Sequence, residues 1–182
     1  VTQKTMGNFN NEIGVPLTLL SLSENVEAAV VEMGMENLGE LSFLTNMVKP
    51  DIAIITNVGC AHLENLGSME NIAKAKVEIV EGLNDHGLFI YNGDHKLLDD
   101  AVKAKMIPGT IRIKTFGKEQ PCDGFVDHIR QDETGVSFSL NTEHVYHLDM
   151  IGKHNACNAA AAILAAKALG LSDEEIQRGL HS

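Results

Sequence analysis

The sequence predicts an α/β fold: a mostly parallel sheet flanked by helices, with a small antiparallel sheet attached. Three observations predict it. Short apolar runs alternate with amphipathic stretches through the first hundred residues. Each of those runs is followed by polar residues. After Pro108 and Gly109 the pattern changes to apolar/polar alternation. The chain therefore divides into a parallel α/β part over residues 1–107, a small antiparallel sheet over 108–151 and C-terminal helices over 152–182.

The elements follow in order. Residues 28–32 (AAVVE), 51–56 (DIAIIT) and 87–91 (GLFIY) are short apolar runs bounded by turn or polar residues, which is strand character. Helical patterning covers 38–48, 69–83 and 96–105. The β-α-β-α order calls for parallel strands, with ligands beyond their carboxyl ends. There stand Glu32, then Thr56 and Asn57, then Asn92 and Asp94. Residues 110–116, 125–131, 136–140 and 145–150 alternate like antiparallel strands with one wet face. An Ala-rich helix over 158–169 stops at Gly170, a suitable residue just past a helix end. Ser172 and Glu175 form a capping box, with Leu171 and Ile176 spaced as a hydrophobic staple, and a last helix runs to Leu180.

Composition bounds the function. The 182 residues are 44% hydrophobic and 21% charged, which is globular rather than disordered. With 14 Lys+Arg against 25 Asp+Glu, the net charge of -11 argues against a nucleic-acid or anionic-membrane partner. No apolar run approaches the roughly 18 residues that span a bilayer. Cys60, Cys122 and Cys157 are odd in number and widely spaced, which fits a reducing cytoplasmic setting and bystander thiols. No basic stretch followed by an apolar core opens the chain, so no signal peptide is expected. The chain starts at Val1, and both ends read as cut.

Lys76 is the most informative residue. On a helix over 69–83, Met69, Ile72, Ala73, Ile79, Val80 and Leu83 form one stripe with Lys76 in its middle, while Lys74, Glu78 and Glu81 fall opposite. Lys76 either snorkels to water from under the sheet edge or is a functional lysine whose amine burial keeps neutral. A neutral amine can take up carbon dioxide as a carbamate, a carboxylate-like metal ligand. His62, with Glu64 in the same loop, is either a surface residue or a ligand. Glu32 would point into the crevice. Glu32, His62 and a carbamylated Lys76 would suit Mg²⁺ or Mn²⁺. The loop over 7–14 (GNFNNEIG), with Asn10 and Asn11, is either turn punctuation or a phosphate and amide binder. The run over 152–158 (GKHNACN), with His154, Asn155 and Asn158, is either an N-cap cluster with Asn155 capping or a clamp for a nucleobase. The other histidines have no assigned role.

Six runs, in order and at family spacing, resemble the central ATP-binding domain of the Mur ligase family. They are TMGNFNNEIGVPLTLL at 5–20, VEMG at 31–34 with GEL at 39–41, KPDIAIITN at 49–57, AHLE at 61–64, IAKAK at 72–76 with Glu78, and GKHNACN at 152–158. Among the family's members, NNEIGVP and EMG are most similar to the ligase that adds D-alanyl-D-alanine to UDP-N-acetylmuramoyl-tripeptide, rather than to the other Mur ligases or folylpolyglutamate synthase.

The resemblance implies a P-loop-type fold, ATP and Mg²⁺ (or Mn²⁺) as cofactors, and cytoplasmic peptidoglycan synthesis for the cell wall. Glu32 would hold the first metal, and His62 and N-carboxylated Lys76 the second. Asn158, with Asn155 and His154, would contact the adenine end of ATP. Asn10 and Asn11 would face the γ-phosphate or the sugar-peptide substrate. The family's G-x-x-G-K-[ST] phosphate loop and its strand do not occur in these residues, nor do its N- and C-terminal domains. An excised piece that folds, self-associates through an open sheet edge and does not turn over ATP is the expectation. Two other readings stand beside it: a non-catalytic nucleotide- or partner-binding module, and a metal-dependent hydrolase using Glu32, His62 and Lys76.

Overall fold

The computed structural model describes residues 1–119 and 121–181. Its eight strands are β1 (Thr2–Lys4), β2 (Ala28–Val30), β3 (Ile52–Ile55), β4 (Leu88–Asn92), β5 (Arg112–Gly117), β6 (Gly124–Gln131), β7 (Val136–Leu140) and β8 (His144–Leu148). The α-helices are α1 (Gly14–Leu20), α2 (Glu40–Val48), α3 (Leu63–Leu66), α4 (Met69–Val77), α5 (Lys96–Ala104), α6 (His154–Ala168) and α7 (Asp173–Leu180), and a 3₁₀ segment, Glu78–Gly82, extends α4. Six strands form one mixed sheet in the order β3-β4-β5-β6-β7-β8.

Strand β4 shows why the fold is layered. It lies between β3 and β5, and both of its faces are buried. Successive side chains point to opposite faces of a strand. Phe89 and Tyr91 accordingly join Ala53, Ile55 and the buried side of α4 and α5, while Leu88 and Ile90 join the Ala-rich α6 and α7. A helix lined with Ala156, Ala159 and Ala160 can approach the sheet closely. Its end is a Schellman motif: Gly170, at φ 88, donates to the Lys167 carbonyl and Leu171 to that of Ala166. The capping box at Ser172 and Glu175 then starts α7.

Four local expectations are corrected. Residues 112–117 pair in parallel with β4 and not in an antiparallel sheet. The connection through α5 is long enough to return the chain in the same direction, and the alternation of residue types there is not matched by burial, which runs from exposed Arg112 and Ile113 to buried Phe116 and Gly117. The antiparallel ladder is β6-β7-β8, joined to β5 through Phe116↔Gly124 and Gly117↔Phe125. Strand β2 does not join the main sheet; it pairs with β1 in a separate two-stranded parallel sheet, with α1 as the crossover. The helix at Lys76 tightens to 3₁₀ geometry at Glu78, which turns Glu78 from the expected solvent face into a buried position with 9% exposure.

The fourth correction is at α6, which begins at His154, so Asn155 lies inside its first turn and is not its N-cap. All three cysteines are free. Among the described residues no helix is long and apolar enough to cross a membrane.

Candidate functional site

The site is built where two motif runs meet. The loop after β1 folds back so that Asn10 lies on Gly34. The Gly34 N–H donates to the Asn10 carbonyl (2.7 Å), and a Cβ at Gly34 would press on the Asn10 amide carbon at 3.1 Å. From there Asn10 Nδ2 donates to Glu32 Oε1 at 2.8 Å. The Glu32 backbone N–H in turn donates to Thr5 Oγ1 at 2.9 Å. Asn11 turns the chain into α1: its Oδ1 accepts from the Ile13 N–H (3.1 Å) and the Gly14 N–H (2.9 Å). Gly14 must be glycine, because an added Cβ would collide with the Phe9 backbone.

Beside this corner opens a cleft of about 710 Å³, lined by Asn10, Asn11, the loop over 34–39, the start of α2, and His62. His62 precedes α3 in a left-handed conformation (φ 64), uncommon for a residue with a side chain. Its imidazole is exposed and lies near Glu40. Hydrogen bonds from the Asn37 side chain and the Glu36 backbone hold the Glu40 carboxyl below the usual carboxylate range, with His62 a minor contributor.

Lys76 lies outside the cleft lining, half-buried on α4, which packs against α2, α3 and α5. It makes no ion pair or side-chain hydrogen bond among the described residues, and burial alone pushes its pKa down. Glu32 is exposed at the corner and reaches the cleft through Asn10. The structure thus joins Asn10 to Glu32, and it sets Asn10, Asn11 and His62 around one opening. Among the described residues no three His, Cys, Asp or Glu side chains gather as a metal site.

The α6 residues form a separate group, and none of them lines the cleft. Asn155, nearly buried, donates from Nδ2 to the Ile151 carbonyl (3.0 Å) and accepts from Asn158 Nδ2 (3.3 Å). His154 and Asn158 are exposed at the start of α6. The sequence reading named Glu40 and Glu78 in its motif runs but gave neither a role; Glu40's carboxylate ties the Glu36 and Asn37 N–H groups (2.7 and 3.2 Å), and Glu78 reaches Gly39. The Asn-to-Glu spacing over 37–40 was a readable local turn signal. The Glu78 contact, across 39 residues, gave none.

Comparison with known proteins bears on the family and the fold. Residues 1–166 match the family model for the Mur ligase middle domain. The UDP-N-acetylmuramoyl-tripeptide--D-alanyl-D-alanine ligase of Bacillus subtilis is 43% identical over 178 residues, 97% of this chain and 37% of that protein. The Escherichia coli protein of the same name is 34% identical over 184 residues, 98% of this chain and 40% of that one. A crystal structure of MurF from Acinetobacter baumannii superposes with a TM-score of 0.87 at 34% identity, covering 98% of this chain and 39% of that one. MurF from Thermotoga maritima, solved in complex with ADP, gives a TM-score of 0.79 at 27% identity, covering 94% and 40%. The chain spans about two-fifths of the length of these relatives.

Proposed function

Since the chain belongs to the Mur ligase middle-domain family, we propose that it is the ATP-handling domain of a ligase that joins D-alanyl-D-alanine to UDP-N-acetylmuramoyl-tripeptide in peptidoglycan synthesis. The observation that carries this reading is the Asn10–Glu32 corner beside a cleft that also holds Asn11 and His62. It puts amide donors and a carboxylate next to one opening at the end of a βαβ unit, where such folds bind anions.

In the proposed reaction the γ-phosphoryl group of ATP moves to the tripeptide carboxylate, giving an acyl phosphate. ADP is the leaving group of that transfer; the dipeptide amine then attacks the acyl carbon, gives up a proton, and the tetrahedral intermediate collapses with loss of phosphate. Asn10 orients Glu32 by holding Oε1, which leaves Oε2 free. Asn11 keeps its Nδ2 hydrogens available, because only its Oδ1 is used by α1. His154, Asn155 and Asn158 take the adenine end, with Asn155 locking the Asn158 amide.

Mg²⁺ or Mn²⁺ fits the donors by type. Glu32 offers a free oxygen, and His62 an exposed ring. Lys76, half-buried and without a countercharge, keeps its amine neutral more readily than a surface lysine does. That amine would add to carbon dioxide and release one proton, giving an anionic ligand that would serve the second metal with His62, while Glu32 would serve the first. When bound, the metal would neutralise charge on the phosphoryl and acyl oxygens.

The test is phosphate release by the complete ligase carrying this domain. Release that requires both UDP-N-acetylmuramoyl-tripeptide and D-alanyl-D-alanine supports the reading. Release indifferent to the dipeptide, or hydrolysis with metal and no ATP, overturns it.

A further inference from the structure

We infer that Glu78 is a positioning residue: its carboxylate clasps the start of α2 and so fixes the Lys76 segment against the wall of the cleft. The role rests on the ligase reading above. The Gly39 N–H lies 2.9 Å from both Glu78 oxygens, and the Ser42 N–H donates to Oε2 at 3.3 Å. Gly39 is the N-cap of α2, in a left-handed conformation (φ 90) and with no side-chain cap hydrogen bond. The first N–H groups of a helix need an acceptor. Here it arrives from a residue 39 positions away.

The clasp is continuous along the 3₁₀ segment. Thr45 Oγ1 donates to the Ile79 carbonyl at 2.7 Å in a buried contact. Ser42 Oγ and Lys105 Nζ both donate to Glu81. Gly82 lies so close to α2 that a Cβ there would collide with the Thr45 carbonyl. The tightening from α to 3₁₀ geometry at Glu78 is what brings these groups inward. On the far side, Glu40 ties Glu36 and Asn37, and those residues with Gly39 line the cleft. Lys76, two residues before Glu78, and the cleft wall are thus two ends of one packed unit. A buried carboxylate bonded to two backbone N–H groups gives that unit a single arrangement.

The test uses the complete ligase with Glu78→Gln, which replaces one acceptor by an NH₂ group facing the Gly39 and Ser42 N–H groups. Amide exchange over residues 36–42 should accelerate about tenfold, and the half-saturating Mg²⁺ concentration should rise about tenfold, since small misplacements at reacting centres are costly. Folded fraction is followed by circular dichroism. A merely structural role lowers the active fraction and leaves half-saturation where it was. Unchanged exchange with unchanged Mg²⁺ dependence overturns the inference. If the variant does not fold, exchange in the unmodified ligase decides: protection at Gly39 and Ser42 equal to that of buried α4 amides supports it, and free-loop rates overturn it. If the unmodified ligase ligates nothing, the functional reading has failed, and the exchange result alone still judges Glu78.

Discussion

Asn10 Nδ2 donates to Glu32 Oε1 at 2.8 Å, binding the loop after β1 to the end of β2 across 22 residues. The contact joins the Asn-rich loop to the acid that follows the first apolar run. It also makes Glu32 depend on an amide for its orientation. Replacing Asn10 by Asp would set a carboxylate against a carboxylate. In the complete ligase Asn10→Asp should lower kcat/KM by about a hundredfold or more. Asn10→Ala should reduce folding stability by about 1 kcal/mol. Steady-state kinetics and urea unfolding measure the two effects, and equal kinetics for Asn10→Asp and the parent would remove Asn10 from the site.

Gly14→Ala should destabilise the domain by about 1–3 kcal/mol, because its Cβ meets the Phe9 backbone and not a movable side-chain end. Gly109→Ala is the control: nothing lies within 4 Å of its Cβ, and its effect should stay within about 0.5 kcal/mol. Thermal unfolding of the two variants reads the contrast directly.

Much of this architecture was legible. The strand at Val136–Leu140, the Gly170 stop and the Ser172 capping box all follow from local chemistry: alternation, a left-handed glycine and a reciprocal cap. Strand β1 and helix α1 were not, since three and seven residues carry too little periodicity to register. Glu78 was placed on the wrong face because a 3.6-residue period was carried past the point where the helix tightens. In the site, residue types were readable but pairings were not. Asn10 with Glu32, and Glu78 with Gly39, are contacts that only the folded chain creates. The different settings of His62 and Lys76 were foreshadowed by a loop position and an apolar stripe: one is exposed at the cleft and the other half-buried on α4.

Lys76→Met should raise stability at neutral pH while abolishing ligation. Burial disfavours the charged amine, so its folded pKa lies below its unfolded value. The unfolded chain then binds more protons in the window between the lowered pKa and the ordinary 10.5, and stability contributed by Lys76 rises with pH across it. The stabilising effect of Lys76→Met should therefore shrink as pH climbs towards 10.5. Melting temperatures of both proteins over that range are the measurement, and a gap that widens with pH contradicts the assignment.

Ser172→Ala removes the acceptor for the Glu175 N–H at the start of α7. It should reduce stability by about 1 kcal/mol and leave Mg²⁺ dependence and turnover of the folded ligase unchanged. Urea unfolding and initial rates check both parts; a large kinetic effect would show that α7 communicates with the cleft.

The most direct test of the central claim is ¹³C NMR of the complete ligase in labelled bicarbonate, with Mg²⁺ and ATP present. A carbamate carbon that appears on Lys76, weakens in His62→Ala and vanishes in Lys76→Met is the result expected. An active ligase that carries no labelled carbon on Lys76 under those conditions would contradict the account.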